Sequence, residues 1–222
     1  MKNPIKTVFF DLDGTLVDHF AAILRCINWA RNDLGVEPLS RESYGPFVGA
    51  TLRQMAEATL DGGASVDRFC DLYLKHIDDT FEDGLVELPG ARWILRELAE
   101  KGYAIAIFTN KRRPVAEKIC QKFGFLKYAS AVVATESDGG AMRKPHWQFS
   151  ASALRAVGAH GYNSAMVGDS ETDFLAAQSG NFAHCFLVTT GMRNVDELME
   201  AGSAAADIFP DLPTLGAIAF SL

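Results

Sequence analysis

The spacing of apolar positions changes rhythm along the chain, and each change marks an element boundary. Thr7-Val8-Phe9-Phe10 is a β-branched and aromatic run that stops at Asp11 and Asp13, with Gly14 and Thr15 directly after. Such a run reads as a buried strand with two acids at its tip. From Phe20 the spacing is helical: Phe20, Ile23, Leu24, Ile27 and Leu34 share one face, and Gly35 supplies the stop. A loop containing Pro, Ser and Gly covers 35–50. A helix over 51–60 follows, then another carried by Val66, Phe69, Cys70, Tyr73, Ile77 and Phe81. Residues 18–86 therefore read as a small all-helical unit, bounded by the turn after Asp13 and by Asp83-Gly84.

After Pro89 the rhythm alternates between helix and strand. Ala91, Ile94, Leu95 and Leu98 form an amphipathic face that Gly102 closes, and Tyr103 to Phe108 is a buried strand ending at Thr109-Asn110. The pattern predicts further helices near 113–123, 146–157, 171–180, 194–201 and 211–219, with strands near 130–134, 164–167, 183–188 and 207–209. Alternation of this kind implies right-handed βαβ crossovers. The fold class is α/β: a Rossmann-like parallel sheet with helices on both faces, built from residues 1–17 and 87–222, plus the inserted helical unit 18–86.

Composition narrows the partners. The chain of 222 residues is 48% hydrophobic, enough for a sizeable core. Its formal charge is -7, and its basic clusters are Lys111-Arg112-Arg113 and Arg143-Lys144, which argues against nucleic acid or a membrane surface as partner. A local site can still bind a small anion. Cys26, Cys70, Cys120 and Cys185 show neither C-x-x-C nor zinc-type spacing, so reduced thiols are expected. No apolar stretch has the length of a signal peptide or a membrane span, and a soluble cytoplasmic protein, monomer or homodimer, is the expectation.

Ligands of open parallel sheets bind beyond the carboxyl ends of the strands, because the loops there vary while the strands hold them. Those ends carry Asp11 and Asp13, Thr109 and Asn110, and Gly168-Asp169 with Asp173, while Lys144-Pro145 opens a helix nearby. Four carboxylates brought together cannot all remain ionised without a compensating cation. A hard divalent ion with oxygen ligands answers this, and Mg²⁺ keeps room in its shell for a substrate phosphate. The implied substrate is anionic, with Lys144 and Thr109 holding its charge.

Four motifs in order, Asp11-Leu12-Asp13-Gly14-Thr15, Thr109-Asn110, Lys144-Pro145 and Gly168-Asp169-Ser170-Glu171-Thr172-Asp173, resemble those of the haloacid dehalogenase (HAD) superfamily of aspartate-nucleophile phosphotransferases. The helical insertion after the first motif is similar to the cap of the branch that includes phosphoglycolate phosphatases, as are Thr109-Asn110-Lys111 and Val167-Gly168-Asp169-Ser170. The resemblance covers essentially the whole chain.

The resemblance implies that Asp11 is the nucleophile, forming an aspartyl phosphate, and that Asp13 is the acid and then the base for leaving group and water. The dehalogenase and phosphonatase branches lack an aspartate at the second place, so Asp13 favours phosphoester chemistry. Leu12, Asp13, Gly14, Thr109, Asn110 and Lys144 would cradle the phosphoryl group with Asp11. Mg²⁺ would be held by Asp11, Asp169, the Asp13 main-chain carbonyl and Asp173, although Ser170 to Asp173 also fits a helix capping box. Thr15 would support the loop. The cap stretch Phe47 to Arg53 is similar to the substrate-facing cap segment of the family and makes Gly49 and Arg53 candidate substrate contacts; a solvated helix arginine is the alternative. His19 lies either at the site entrance or on the surface. His146-Trp147 stand where the family often has a further proline.

The function expected is a Mg²⁺-dependent phosphatase of a small phosphorylated metabolite. Phosphoglycolate is the nearest guess, with pyrophosphate, short sugar phosphates and nucleotides open. A sugar-phosphate mutase on the same scaffold and a non-enzymatic phospho-acceptor of receiver type are the alternatives.

Overall fold

The computed structural model describes residues 4–48, 50–60, 63–136 and 142–222. In chain order its elements are β1 (Thr7–Phe10), β2 (Val17–Asp18), α1 (Phe20–Asp33), α2 (Arg41–Tyr44), α3 (Leu52–Thr59), α4 (Val66–Thr80), β3 (Val86–Glu87) and α5 (Ala91–Glu100). They continue with β4 (Ala104–Arg112), α6 (Arg113–Lys122), β5 (Ala131–Thr135), α7 (Trp147–Ala156), β6 (Ser164–Gly168), α8 (Glu171–Ser179), β7 (His184–Val188), α9 (Val195–Glu200), β8 (Ile208–Phe209) and α10 (Leu212–Ala219). The chain divides into two compact units, Met1–Asp18 with Glu87–Leu222 and His19–Val86.

In the first unit a six-stranded sheet runs in the order β5-β4-β1-β6-β7-β8, and its neighbouring strands pair in parallel. Both faces of a parallel sheet are covered by crossover helices, so central strands must be apolar throughout. β1 and β6 are each buried along their whole length and apolar after their first residues, Thr7 and Ser164. One face packs Phe9, Phe108, Met166, Phe149, Ala153 and Ala176 into a single cluster. Phe9 meets Phe182 edge-on with ring centroids 5.1 Å apart.

The strand order fixes where chemistry can happen. The chain leaves β1, builds outward through β4 and β5, then crosses back to place β6 on the other side of β1. At that reversal the crossovers diverge and leave a crevice above the carboxyl ends of β1, β4 and β6. Asp11 and Asp169 directly follow β1 and β6, and Thr109 lies in the last part of β4.

β4 departs from the expectation. It does not stop before Thr109 but runs to Arg112, with a register shift against β5 between Phe108 and Arg112. The Thr135 hydroxyl holds the irregular stretch by donating to Asn110 O at 3.1 Å and Lys111 O at 3.2 Å. A bulge of this kind re-aims side chains at a strand end. The two-strand ribbon of β2 and β3 was not anticipated either, because two-residue strands carry no periodic signal.

The second unit is helical. Within it α1 packs along α4, and α3 along α4. Its helix starts carry side-chain caps: Ser40 accepts from Ser43 N, Thr51 and Gln54 form a capping box, and Ser65 accepts from Arg68 N. The loop expected over 35–50 contains α2 and a 3₁₀ turn, Gly45–Phe47. His19 is not on the surface; it is fully buried, with Nε2 2.6 Å from Phe81 O. Buried Arg31 donates to Glu37 O at 2.6 Å and Thr59 O at 3.1 Å, tying the loop to α3. The four cysteines are free thiols, Cys26 and Cys120 buried and Cys70 and Cys185 half-buried. Among the described residues no helix is long and apolar enough to cross a membrane.

Candidate active site

The site of the first unit grows from the tip of β1. Leu12 is fully buried, so the carboxylates on either side of it emerge above the sheet. Gly14 adopts φ +83° and turns the chain back, so that Gly14 N donates to Val17 O. A β-carbon at Gly14 would also collide with the Asp169 carboxylate, as would one at Gly191. Two glycines thus leave space around one buried acid.

Four charged side chains form the centre. Lys144 is 2% exposed, and its Nζ lies 2.8 Å from Asp11 Oδ1 and 2.5 Å from Asp173 Oδ1. The other Asp173 oxygen accepts from Asp169 N, Ser170 N and Ser170 Oγ at 3.2, 3.2 and 2.7 Å. Asp173 therefore reaches back to the start of its own helix and holds Lys144 at the same time. Asp11, Asp169 and Asp173 each place an oxygen within 4.8 Å of the others. Asp169 Oδ1 accepts from Thr15 Oγ1 at 3.3 Å, whereas Asp169 Oδ2 is buried with no partner among the described residues.

The charge states follow from this packing. Burial pushes the Asp11 carboxyl up to about 6, with Lys144 pulling it down and Asp173 adding to the rise. Burial, then the charges of Asp173 and Asp11, raise Asp169 well above the carboxylate range. For Lys144 burial alone would favour the neutral amine, but the Asp11 and Asp173 carboxylates outweigh it and hold the ammonium. One lysine does not balance three buried acids. A divalent cation fits the remaining deficit: the acids present oxygen donors, Asp169 Oδ2 is orphaned, and Gly14 and Gly191 carry no side chain to crowd it. The three acids could thus hold a metal ion.

Around this centre the structure separates residues that one motif had grouped. Thr109 is buried, and its Oγ1 accepts from Lys111 N at 3.2 Å, which leaves the hydroxyl proton for another acceptor. Asn110 turns elsewhere: its amide donates to Lys144 O at 3.0 Å and accepts from Lys144 N at 2.7 Å. It clamps the backbone of the lysine. In the helical unit Arg53 is engaged by Asp67 of α4, and Gly49 lies outside the described residues.

Three contacts had no counterpart in the sequence reading. Lys111 pairs with Asp13, and a period of two from Thr109 along a strand would have put both on one face. Thr190 Oγ1 donates to Gly14 O at 2.6 Å, pinning the loop after β7 against the first motif beside Gly191. Its signal in the sequence is the position of Thr190, just past the end of β7. Arg193 joins the same loop to α8 through a bidentate pair with Glu171, both bonds 3.0 Å.

The chain is similar to known proteins over most of its length. The model of a family described as haloacid dehalogenase-like hydrolase matches residues 8–187. The chain is 31% identical to a phosphoglycolate phosphatase of Cereibacter sphaeroides, over 92% of this chain and 96% of that protein. It is 28% identical to one of Yersinia pseudotuberculosis, over 93% and 88%. Among solved structures, a predicted phosphatase from Clostridium acetobutylicum superposes with a TM-score of 0.87 at 23% identity, covering 99% of this chain and all of that one.

Proposed function

The chain belongs to the haloacid dehalogenase-like hydrolases, and on that premise we propose that it is a Mg²⁺-dependent phosphatase that hydrolyses a small phosphorylated metabolite, phosphoglycolate being the nearest candidate, through an aspartyl phosphate on Asp11. The observation that carries the reading is the buried cluster of Asp11, Lys144, Asp173 and Asp169, with Asp169 Oδ2 unpartnered. A nucleophilic carboxylate needs counter-charge that does not consume both its oxygens, and Lys144 meets one oxygen of Asp11 only.

In this reaction Asp11 attacks phosphorus; the Asp11 oxygen–phosphorus bond forms as the ester oxygen–phosphorus bond breaks. The departing oxygen takes its proton from Asp13. Water then attacks the acyl phosphate, Asp13 accepts the water proton, and phosphate leaves. Thr109 donates its free hydroxyl proton to a phosphoryl oxygen, and Lys144 stabilises the charge on the others. The backbone at Leu12, Asp13 and Gly14 turns around the same group.

Asp11 and Asp169 would hold the cation, with the Asp13 main-chain carbonyl as the resemblance implies. Asp173, its oxygens already engaged, stands behind them and orients Lys144. When bound, Mg²⁺ supplies positive charge and a template for the transferring group. Asn110 serves as a positioning residue for Lys144.

The test is phosphate release from a panel of phosphorylated metabolites, with Mg²⁺ and with EDTA, in the wild-type protein and Asp11→Asn. Release is expected to require the metal and to fall by about 10⁴-fold or more in Asp11→Asn. Release that survives the substitution or ignores EDTA sinks the mechanism. A bisphosphate that returns to substrate would point to a mutase, and a long-lived phosphoprotein without turnover to a phospho-acceptor.

A further inference from the structure

The Asp13–Lys111 pair lies beside the central cluster but is not part of it. Lys111 Nζ lies 2.8 Å from Asp13 Oδ2 and 3.0 Å from Asp13 Oδ1, and the two side chains are 10% and 19% exposed. Both carboxylate oxygens are therefore occupied by one ammonium. Asp13 cannot face the ester oxygen of a substrate while it is held in this way.

Other cations described near the strand ends are held by more than one group. Lys144 is locked between two buried carboxylates. Arg113 is tied to Glu136 and to Val132 O, and Arg193 to Glu171. Lys111 differs. Its backbone is fixed, with N bonded to Thr109 Oγ1 and O to the Thr135 hydroxyl, but its ammonium sits on a flexible stem with a single carboxylate as ion-pair partner among the contacts described. It can move by rotation of the side chain alone. An ammonium in so enclosed a place gives up one counter-charge only for another.

We propose that Lys111 selects the alcohol of the substrate: its ammonium passes from Asp13 to a negative group on the leaving alcohol, a carboxylate or a second phosphate, and the exchange frees Asp13 to turn to the ester oxygen. This rests on the phosphatase reading and narrows it to substrates that carry two anionic groups. A neutral alcohol would leave Lys111 on Asp13 and the site unprepared. Recognition and readiness are then one event, since the charge that identifies the substrate also releases the group that serves it.

The experiment compares 2-phosphoglycolate and ethylene glycol bisphosphate with the neutral 2-phosphoglycolamide, in wild type, Lys111→Met and Lys111→Arg. The wild type is expected to prefer the better anionic ester by about a hundredfold in kcat/KM, and that ester identifies the anion. Lys111→Met should bring the ratio to within about threefold of unity, and Lys111→Arg should restore most of it. Binding of the same esters to Asp11→Asn and to Asp11→Asn/Lys111→Met, followed by calorimetry without turnover, should show the same loss of charge preference. A ratio unchanged in Lys111→Met overturns the proposal, as does an equal fall on charged and neutral esters, which would make Lys111 a structural brace. Absence of turnover in the wild type, with charge-selective binding that still depends on Lys111, would overturn the hydrolytic reading and leave the role of Lys111 standing.

Discussion

Lys144 and Arg53 are both cations facing an aspartate, one at the sheet edge of the first unit and one in the helical unit. Lys144 and Asp173 are 2% and 0% exposed, and a second carboxylate, Asp11, shares the ammonium. Arg53 and Asp67 are 52% and 78% exposed, and each has water as an alternative partner. An ion pair in solvent gains little, because water screens the attraction and ordering two long side chains costs entropy. A buried one has no alternative partner, so removal of one member strands the other. The contrast identifies which charges organise the molecule and which merely decorate it.

The sharpest way to break the comparison is Lys144→Met. It leaves Asp11 and Asp173 buried without their cation, and a loss of about 3–5 kcal/mol in stability is expected together with loss of phosphate release. Urea unfolding with and without Mg²⁺ measures the first and a phosphate assay the second. Recovery of stability on protonating the acids at low pH would confirm that stranded charge is the cause.

Gly191→Ala tests the space around Asp169. The added methyl would occupy the position of its carboxylate, so metal affinity is expected to fall by about 10–100-fold, read by metal titration of thermal stability. Unchanged affinity would mean that the loop after β7 yields freely.

A smaller effect concerns pH. Asp11, raised from 3.8 to about 6, contributes stability that is present below its unfolded value and lost as pH rises through about 6, and Asp169 shifts in the same direction. Metal-free protein should therefore show a falling Tm as pH rises from about 4 through 6, while Mg²⁺, which favours the ionised acids, should flatten that slope. A metal-free Tm that rises across this window would contradict the charge assignment.

Arg53→Ala should do least: Tm is expected to stay unchanged, since its partner is solvated. A fall in kcat/KM with unchanged Tm would show instead that Arg53 leaves Asp67 to meet substrate.

How much of this was legible beforehand depended on the range of the interaction. The apolar run before Asp11 and the helix face of α5 were readable because they are periodic, and periodicity is local. Asp11, Lys144, Asp169 and Asp173 were readable as a set because each follows a strand or opens a helix and carries charge. The short helix α2, the β2–β3 ribbon and the extension of β4 to Arg112 were not, since no repeat of two or 3.6 residues is sustained in so few positions. His19 was misplaced for a related reason: burial of a polar ring depends on a carbonyl, Phe81 O, 62 residues away.

By itself, then, the sequence determined the α/β class, the helical insertion and the inventory of acids and cations at the strand ends. Only the tertiary structure decided which acid meets which cation. Asp13 and Lys111 are 98 residues apart, Thr15 and Asp169 are 154, and Gly14 and Thr190 are 176. Those partners are chosen by strand order and by the bulge in β4, because a contact between distant residues is set by the packing of whole elements, whereas the pattern along each element records only which of its faces is buried.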